Sequence, residues 1–508
     1  MSFSPPEQLV LPPLETDLEA NLEMIRAALG NSQDLIIKTM NVINGWPAAI
    51  LYLQGMVDNQ VLQVALGSLM QPTRIQPPEP AEGKSFDLMR YIANEVLVAG
   101  ECQLLEDTRT LFLSLLSGRS ILLLGGAREA LAVGTNGGEE RAVTEPTSQA
   151  VVRGPMEGFT ESIRTNISLI RRRIKSMDLR IESYNIGRQT QTEVAVLYMN
   201  TIVRKEVLEQ LRQRLQGIDI DGVLESGYIE EFIQETSFTP FPTVFNTDRP
   251  DTASAALLEG RVAIIVDGTP FVLLVPALFM QFFQSAEDYY QRSDISTLLR
   301  IVRVSSLFIS MLVPALYISF TTFHQEMLPT PMLISLAAQR EVIPFPAFVE
   351  ALLMEFVYEV LREAGVRMPR TVGQAVSIVG TLVIGQAAVE AGIISAAMVI
   401  IVSITAISSF VIPSVSMSIS IRMIRFGMML LAGAFGFVGI FMGIFMLTIH
   451  LAGLRSFGAP YMSPFSPSPE GEWKDSLLRA PWPYMRKRPS TARQGSRRRQ
   501  NLKGGGEA

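Results

Sequence analysis

The chain has 508 residues, of which 48% are hydrophobic and 18% are charged, and its formal net charge is −6 at pH 7. A single cysteine, Cys102, excludes an intramolecular disulfide and agrees with a reducing compartment. With only two histidines, His324 and His450, and no phosphate-binding loop, dinucleotide-binding motif or metal-ligand cluster, we expect neither an enzyme nor a cofactor.

The first 245 residues have the charge and the periodic apolar positions of soluble domains. They begin with a polar, proline-rich extension over 1–20 that lacks the basic and apolar regions of a signal peptide. We therefore expect this half of the protein to lie in the cytoplasm.

Two blocks of sequence recur within the soluble half. LYLQGMVDNQVL from Leu51 aligns without gaps with LYMNTIVRKEVL from Leu197, and LLSGRSILLLGG from Leu115 aligns with LLEGRVAIIVDG from Leu257, at nearly equal offsets. Repetition at a fixed spacing indicates a duplicated unit, although chance similarity between short apolar strands is the alternative. The predicted fold class is a duplicated soluble α/β domain, with subdomains at 21–135 and 153–275 and a Gly- and Glu-rich linker at 136–152, followed by an α-helical polytopic membrane domain.

Two features of the second subdomain are candidates for an assembly surface or a membrane-proximal surface. One is the basic run of Arg171, Arg172 and Arg173. The other is the pair Asp267 and Gly268, which suits a two-residue hairpin turn close to the start of the membrane half.

Three later runs contain almost no charge, over 304–323, 371–421 and 426–454. About 20 apolar residues cross a hydrocarbon core of about 30 Å, so 304–454 is predicted to be a transmembrane domain of about four to five hydrophobic helices. Residues 276–303 mix aromatic and charged side chains, as an interfacial helix would, or an amphipathic helix packed on the soluble domain. The first crossing is expected to bend at Pro314 and, because arginines precede it, to start in the cytoplasm.

Acidic residues follow the first crossing. Glu350, Glu355 and Glu359 belong to an apolar helix at 345–362, and carboxylates facing lipid would each cost about 2.5 kcal/mol or more. The helix therefore either lies at the membrane surface or turns its acidic side to water within an assembly, where it could line a cation pathway. Glu390, one turn after Gln386, is either part of that pathway or exposed in a loop between spans at 375–389 and 393–412.

The last span contains Gly433, Gly436, Gly439 and Gly443, a small-residue ridge that allows close helix packing. A disordered, Pro- and Arg-rich tail at 455–508 should stay in the cytoplasm, which favours an even number of crossings. We prefer four crossings with the acidic helix partly inserted. No simple arrangement puts all of the arginines in this region in the cytoplasm, namely Arg362, Arg367, Arg370, Arg422 and Arg425. The basic end of the tail could bind anionic lipid or nucleic acid, but a solvated tail is the preferred interpretation.

Several long blocks resemble the A-subunit family of GerA-type spore germination receptors. They are RGPMEGFTESIRTNISLIRRRI, LLEGRVAIIVDGTPFVLLVP, FFQSAEDYYQR, QREVIPFPAFVEALLMEFVYEVLREAGVRMP and VSIVGTLVIGQAAVEAG, and the resemblance covers about 21–488. The resemblance implies a subunit of a nutrient-sensing receptor integral to the spore inner membrane. It implies that the protein works beside a transporter-like B subunit and a lipoprotein C subunit. It also implies that copies of the chain form homo-oligomers in membrane lipid and a ligand-gated channel for monovalent cations. We expect no nucleic-acid partner.

Two other functions stay open at this point. The chain could be a non-conducting scaffold subunit of the receptor, or an accessory spore membrane protein that amplifies ion release. Ion release that is unchanged by substitution of the ion-pathway candidates would favour the scaffold over a channel. A receptor subunit, unlike the accessory protein, should be encoded beside genes for a transporter-like partner and a lipoprotein.

Overall fold

The computed structural model describes residues 11–42, 45–70, 88–97, 101–137, 145–146, 148–149, 151–368, 385–466, 472–489 and 499. Its soluble half contains two five-stranded sheets in which every pair of neighbouring strands is antiparallel. The strands of the first sheet are β1 (Leu35–Val42), β2 (Trp46–Leu53), β3 (Cys102–Leu105), β4 (Ser120–Leu124) and β5 (Ala130–Val133). Those of the second are β6 (Leu179–Ile186), β7 (Thr192–Met199), β8 (Phe245–Thr247), β9 (Val262–Val266) and β10 (Val272–Val275).

The two sheets have the same topology. The strand order is β1-β2-β4-β5-β3 in the first and β6-β7-β9-β10-β8 in the second. Leu51 faces Ile121 in the first sheet, and Leu197 faces Ala263 in the second. These are the positions that the aligned sequence blocks equate, so the blocks occupy equivalent strands in the same register.

Helices cover both faces of each sheet. The helices of the soluble half are α1 (Leu18–Ala28), α2 (Asn59–Met70), α3 (Leu88–Tyr91), α4 (Thr108–Leu116), α5 (Ile163–Arg173), α6 (Lys205–Gln216), α7 (Ser226–Ile233) and α8 (Pro250–Glu259). In the first subdomain, alternate strand residues pack towards α1 and α4 or towards α2 and α3. Since both faces are buried, strands such as β4 contain runs of consecutive apolar residues, here ILLL, rather than an alternating pattern.

We call the helical region that the sequence predicts to be the membrane domain the membrane half. Its helices are α9 (Ser293–Thr322), α10 (Thr330–Arg340), α11 (Ala347–Arg367), α12 (Gly385–Glu390), α13 (Ala396–Val411) and α14 (Val415–Gly453). Among the described residues, α9 and α14 are long and apolar enough to cross a membrane, and α13 is a shorter apolar helix. One continuous hydrophobic core runs from the second sheet through Phe282 to Leu307, Met398 and Met429 in these helices. The second subdomain and the membrane half therefore pack as one body.

Helix α14 is a hairpin of two helical halves. Gly436 has φ 60° and ψ −137°, which interrupts the helix between 415–435 and 437–453. A Cβ built on Gly443 would lie 2.5 Å from Met428 Sδ, so the second half returns along the first. Its two ends meet the same part of the second subdomain, where Asn246 donates to Ser416 Oγ at 3.3 Å and His450 Nε2 lies 2.8 Å from Thr239 Oγ1.

Two expectations from the sequence differ from this arrangement. Residues 276–303 do not form one interfacial helix, because two short 3-10 turns at Phe279–Phe283 and Ala286–Tyr289 precede α9, and their phenylalanines are buried in the protein. Much of the tail is ordered, since 455–466 and 472–489 pack on the protein through residues such as the fully buried Tyr461. Most of the predicted span at 375–389 lies outside the described residues.

The geometry of Gly436 gives a stability prediction. Gly436→Ala should lower the midpoint of thermal unfolding in detergent, because a side chain at this positive φ costs about 1–3 kcal/mol. The new Cβ would also lie 2.9 Å from His324 Cε1. Gly427→Ala is the matched control, because a Cβ there meets no atom within 4 Å. Equal midpoints for the two variants would show that the turn at Gly436 is not required.

Candidate functional site

The centre of the membrane half is a buried ion pair between Glu355 of α11 and Arg425 of α14. Both side chains are at most 1% exposed, and Arg425 Nη1 donates to Glu355 Oε2. Thr405 of α13 donates to Glu355 Oε1 at 3.3 Å, and Arg425 Nη2 donates to Ser310 of α9 at 3.0 Å. One carboxylate and one guanidinium therefore tie four helices together.

The local sequence explains how these groups meet. α11 has acidic residues at 355 and 359, four apart and so on one face, while α14 has arginines at 422 and 425, three apart and also on one face. α11 and the first half of α14 run in opposite directions past each other, because Phe348 near the start of α11 lies against Gly433 near the end of that half. The acidic face of α11 therefore lies against the arginine face of α14, with Glu355 beside Arg425 and Glu359 beside Arg422.

The contacts between α11 and α14 continue from Glu355 and Arg425 to Glu359, towards the soluble half. We call this line of polar contacts the polar seam. Glu359 Oε2 accepts from Arg362 Nη2 at 2.7 Å and from Arg422 Nη1 at 3.4 Å. Among the described residues, Glu359 Oε1 and Arg422 Nε are buried without a hydrogen-bond partner. Buried polar atoms are nearly always hydrogen-bonded, by water where the protein supplies no partner, so this part of the seam calls for water.

Glu350 lies at the other end of the seam. Its Oε1 accepts from Ser395 N and Ser395 Oγ, each at 2.6 Å, at the N-terminus of α13. Ser395 Oγ also lies 3.2 Å from Tyr317 OH of α9. The partial positive charge of a helix N-terminus is complementary to a carboxylate. The three acidic residues therefore form a row inside the helices, each with partners in the same chain.

The structure does not bring the other ion-pathway candidates into this row. Gln386 and Glu390 are exposed on α12, where Gln386 Nε2 donates to Glu390 Oε1 at 3.0 Å. The four glycines lie in or beside the hairpin of α14. Gly436 makes the turn, Gly433 lies against Phe348, and Gly439 and Gly443 lie against the first helical half.

The arginine run begins with a residue that is buried between the two subdomains. Arg171 is 1% exposed, and its Nε donates to Asp34 Oδ2 of the first subdomain at 2.8 Å. Its Nη2 also donates to Ser32 Oγ at 3.0 Å. Arg172 reaches the carbonyl oxygen of Gly137 at 3.5 Å, and Arg173 pairs with Glu157. Arg171 is thus the buried polar link that joins the subdomains.

Asp267 and Gly268 form the turn between β9 and β10 and hold the start of α5. Asp267 Oδ1 accepts from Ile163 N at 3.1 Å, and Gly268 N donates to the carbonyl oxygen of Glu161 at 2.8 Å. Gly268 has φ 89°, which favours glycine at this turn.

A second charge cluster, which the sequence analysis did not identify, lies where α9 leaves the soluble half. Asp288 is buried and accepts from Arg300 Nε at 2.9 Å and from Arg303 Nη1 at 2.7 Å. Arg300 Nη1 also donates to Asp475 of the tail at 3.1 Å. Burial raises the pKa of the Asp475 carboxyl to about 6, although Arg300 acts in the opposite direction. The only signal in the sequence was the excess of arginine before 304.

Comparison with known proteins places this architecture in one family. Residues 23–491 match the model of the family described as "Bacillus/Clostridium GerA spore germination protein". The chain is 48% identical to Spore germination protein KA of Bacillus subtilis over 96% of this chain and 89% of that protein. It is 39% identical to Spore germination protein B1 of the same organism, over 94% and 97% of the two chains. This protein therefore belongs to the GerA family of spore germination proteins, and the resemblance seen in the sequence is confirmed.

One relative and one solved structure add to the comparison. The chain is 43% identical to the B. subtilis protein named "Uncharacterized membrane protein YfkQ", over 95% of this chain and 93% of that one. The crystal structure of the N-terminal domain of the A subunit of the Bacillus megaterium spore germinant receptor GerK3 is 39% identical. The match covers 54% of this chain and 100% of the GerK3 domain, with a TM-score of 0.42.

The buried pair gives a prediction about stability. Arg425→Leu should destabilise the protein by about 3–5 kcal/mol, because it leaves Glu355 charged and unpaired inside the helices. The double variant Glu355→Leu/Arg425→Leu should recover most of this loss, since two apolar groups can replace a buried pair. Denaturant unfolding of the purified protein in detergent measures both free energies.

The control for that experiment is Arg367→Leu, which breaks the pair with Glu363 in the last turns of α11, where both side chains are more than half exposed. We expect little change there, because water screens exposed pairs. If the single and double variants at 355 and 425 were equally destabilised, the pair would not be the link that we describe.

The contact between the subdomains gives a further prediction. Arg171→Ala should leave Asp34 buried without its partner and loosen the junction, so amide hydrogen exchange should rise in β1 and α5. Arg188→Ala removes an exposed arginine that pairs with Asp219 and should leave exchange in these elements unchanged. A wild-type exchange pattern in Arg171→Ala would contradict the role given to this side chain.

Proposed function

We propose that this protein is the A subunit of a spore germination receptor and that several copies form a cation channel that releases ions at the start of germination. The observation that carries the proposal is the row of Glu350, Glu355 and Glu359 inside the membrane helices. Carboxylates within membrane-spanning segments are costly and are used mainly for ion pathways, proton relays and ligand sites. Membership of the GerA family supports the proposed role as a receptor subunit. The row of carboxylates supports the proposed cation conduction.

The position of buried polar atoms supports a hydrated pathway along this row. Glu359 Oε1 and Arg422 Nε lack a hydrogen-bond partner and belong to the same ion pair, so a few waters at this pair would satisfy both. Oxygen ligands of this kind suit monovalent cations that keep part of their hydration shell. We therefore assign the pathway to the face of α11 that carries 355 and 359.

The ion pair supplies a means of closing the pathway. While Arg425 binds Glu355, the carboxylate is neutralised and offers a cation no net charge. Opening would require the guanidinium to move away from the carboxylate, and each group has a second partner that it could keep, Ser310 for Arg425 and Thr405 for Glu355. A conformational signal that shifts α14 relative to α11 would have this effect.

We propose that such a signal arises in the receptor complex, from a transporter-like B subunit and a lipoprotein C subunit in the spore inner membrane. The soluble half could pass it on, because α14 contacts the second subdomain at both ends through Ser416 and His450. These contacts, together with the packing of 455–466 and 472–489 on the protein, support a location of the soluble half and these tail segments on one side of the membrane helices, which we propose to be the cytoplasmic side.

A non-conducting scaffold is the second candidate function, and one observation favours it. Every carboxylate of the row has a hydrogen-bond partner within the same chain, so the row could serve only to lock the helices together. On that account another subunit conducts, and this chain holds the complex in place.

Ion flux separates the two functions. Wild-type and Glu355→Gln receptors, co-reconstituted with their partner subunits in liposomes, should differ in potassium efflux on addition of germinant. We expect lower efflux from Glu355→Gln, because the amide removes the negative charge that attracts the cation. Arg425→Gln should instead raise efflux without germinant, because it frees the carboxylate.

The matched control is Glu363→Gln, on the same helix but exposed and outside the row, which should conduct as the wild type does. Assembly of each variant is checked by its elution on size exclusion. Wild-type efflux from correctly assembled Glu355→Gln and Arg425→Gln receptors would favour the scaffold.

A further inference from the structure

The ordered part of the tail crosses the base of the first membrane helix. Arg479 N donates to Thr297 Oγ1 at 3.1 Å, and Arg300 Nη1 donates to the carbonyl oxygen of Ser476 at 3.0 Å. Thr297 precedes the uncharged run at 304–323 by two turns, or about 10 Å along the helix. We call residues 473–489 the strap, and it lies at the level where α9 would leave the bilayer.

The inner side of the strap is fixed by buried polar contacts. Asp475 pairs with Arg300 and accepts from Tyr289 OH at 3.0 Å, and Ser476 is buried. Arg479 is also buried and lies over the rings of Tyr289 and Trp482, at 5.9 and 5.8 Å. The strap is therefore held in one orientation, which determines what its outer side presents.

The outer side is apolar, aromatic and basic. Its exposed apolar side chains are Trp473, Leu478, Trp482 and Tyr484, between 41% and 62% exposed. Lys474, Arg486 and Lys487 are exposed among them. The neighbouring first turns of α9 expose Ile295 and Leu298 as well. A soluble surface would gain nothing from this composition, whereas tryptophan and tyrosine are enriched at membrane–water interfaces and lysine and arginine attract anionic headgroups.

We propose that the strap binds the surface of the bilayer around α9, with its aromatic rings in the headgroup region and Lys474, Arg486 and Lys487 on the phosphates of anionic lipids. This inference rests on the membrane-spanning role proposed for α9. Continuity with that helix and the complementary charge select lipid over a second protein. Lipid binding would also hold Asp475 against Arg300, and so fix the first membrane helix to the tail.

Site-directed spin labelling of the full chain in nanodiscs tests the proposal. The single native cysteine makes this simple, since Cys102→Ser gives a background without cysteine. Leu478→Cys and Tyr484→Cys then carry the probe, with Leu113→Cys in α4 as a control on the soluble half and Phe441→Cys in α14 as a control in the membrane half. All four native side chains are between 51% and 67% exposed, so their local burial is similar.

The readout is the ratio of collisions with oxygen, which concentrates in lipid, to collisions with a water-soluble nickel chelate. We expect the ratio at Leu478 and Tyr484 to lie above that at Leu113 and below that at Phe441 in phosphatidylglycerol nanodiscs. The triple variant Lys474→Gln/Arg486→Gln/Lys487→Gln should lower the ratio at Leu478 and Tyr484. Nanodiscs of phosphatidylcholine, which has no net charge, should lower the ratio in the wild-type strap as well.

Three results would overturn the inference. A ratio at the strap equal to that at Leu113 would mean that water surrounds it. Low collision rates with both reagents would mean that a protein partner covers it. An aqueous ratio at Phe441 would overturn the membrane-spanning role as well, which distinguishes that failure from a failure of the strap alone.

Discussion

A carboxylate surrounded by apolar helices must be neutralised or hydrated, and Glu355 meets this requirement through Arg425. The arrangement of the membrane half follows from that constraint. α11 must bring its acidic face to the arginine face of α14, while α9 and α13 supply the hydroxyl groups that complete the hydrogen bonds of the pair. Because a pair deprived of one partner is costly, the four helices are held in one register. The same constraint suits the pair to the gating role that we propose, since any separation of its members leaves two buried charges unpaired at once.

The soluble half uses the same device at two further places. Arg171 with Asp34 joins the subdomains, and Asp288 with Arg300 and Arg303 joins the second subdomain to α9. In each case the paired groups are buried. Arg171 and Asp34 are 137 residues apart in sequence, whereas Asp288 lies 12 residues before Arg300 and 15 before Arg303. A movement between the subdomains could therefore reach α9 and α14 through stiff connections, and the shared core around Phe282 adds to this coupling.

The sequence was sufficient for some of these features and insufficient for others, for physical reasons. Side-chain patterns within β2, β4, β7 and β9 are local, so the aligned blocks lie in equivalent strands of the two sheets. The cost of a bare carboxylate in lipid is enough to predict that the acidic face of α11 avoids lipid. The sequence does not predict that Arg425 is the partner of Glu355, because pairing between helices depends on tertiary geometry. Four glycines suggested close packing, yet only Gly436 has a positive φ, and composition does not distinguish it from Gly433 or Gly439. The tail seemed disordered because few apolar residues, such as Tyr461 and Met485, anchor its many prolines and arginines.

Reversal of the charges at 355 and 425 tests the central claim most directly. Thr405 and Ser310 are hydroxyls that both donate and accept, so Glu355→Arg/Arg425→Glu could keep every hydrogen bond of the pair. The measurement is the yield of folded, monodisperse protein in detergent. Our account predicts that either single reversal abolishes the folded peak, because two like charges then face each other, and that the double reversal restores it. A folded peak in the single variants, or none in the double variant, would contradict the claim that this pair holds the membrane half together.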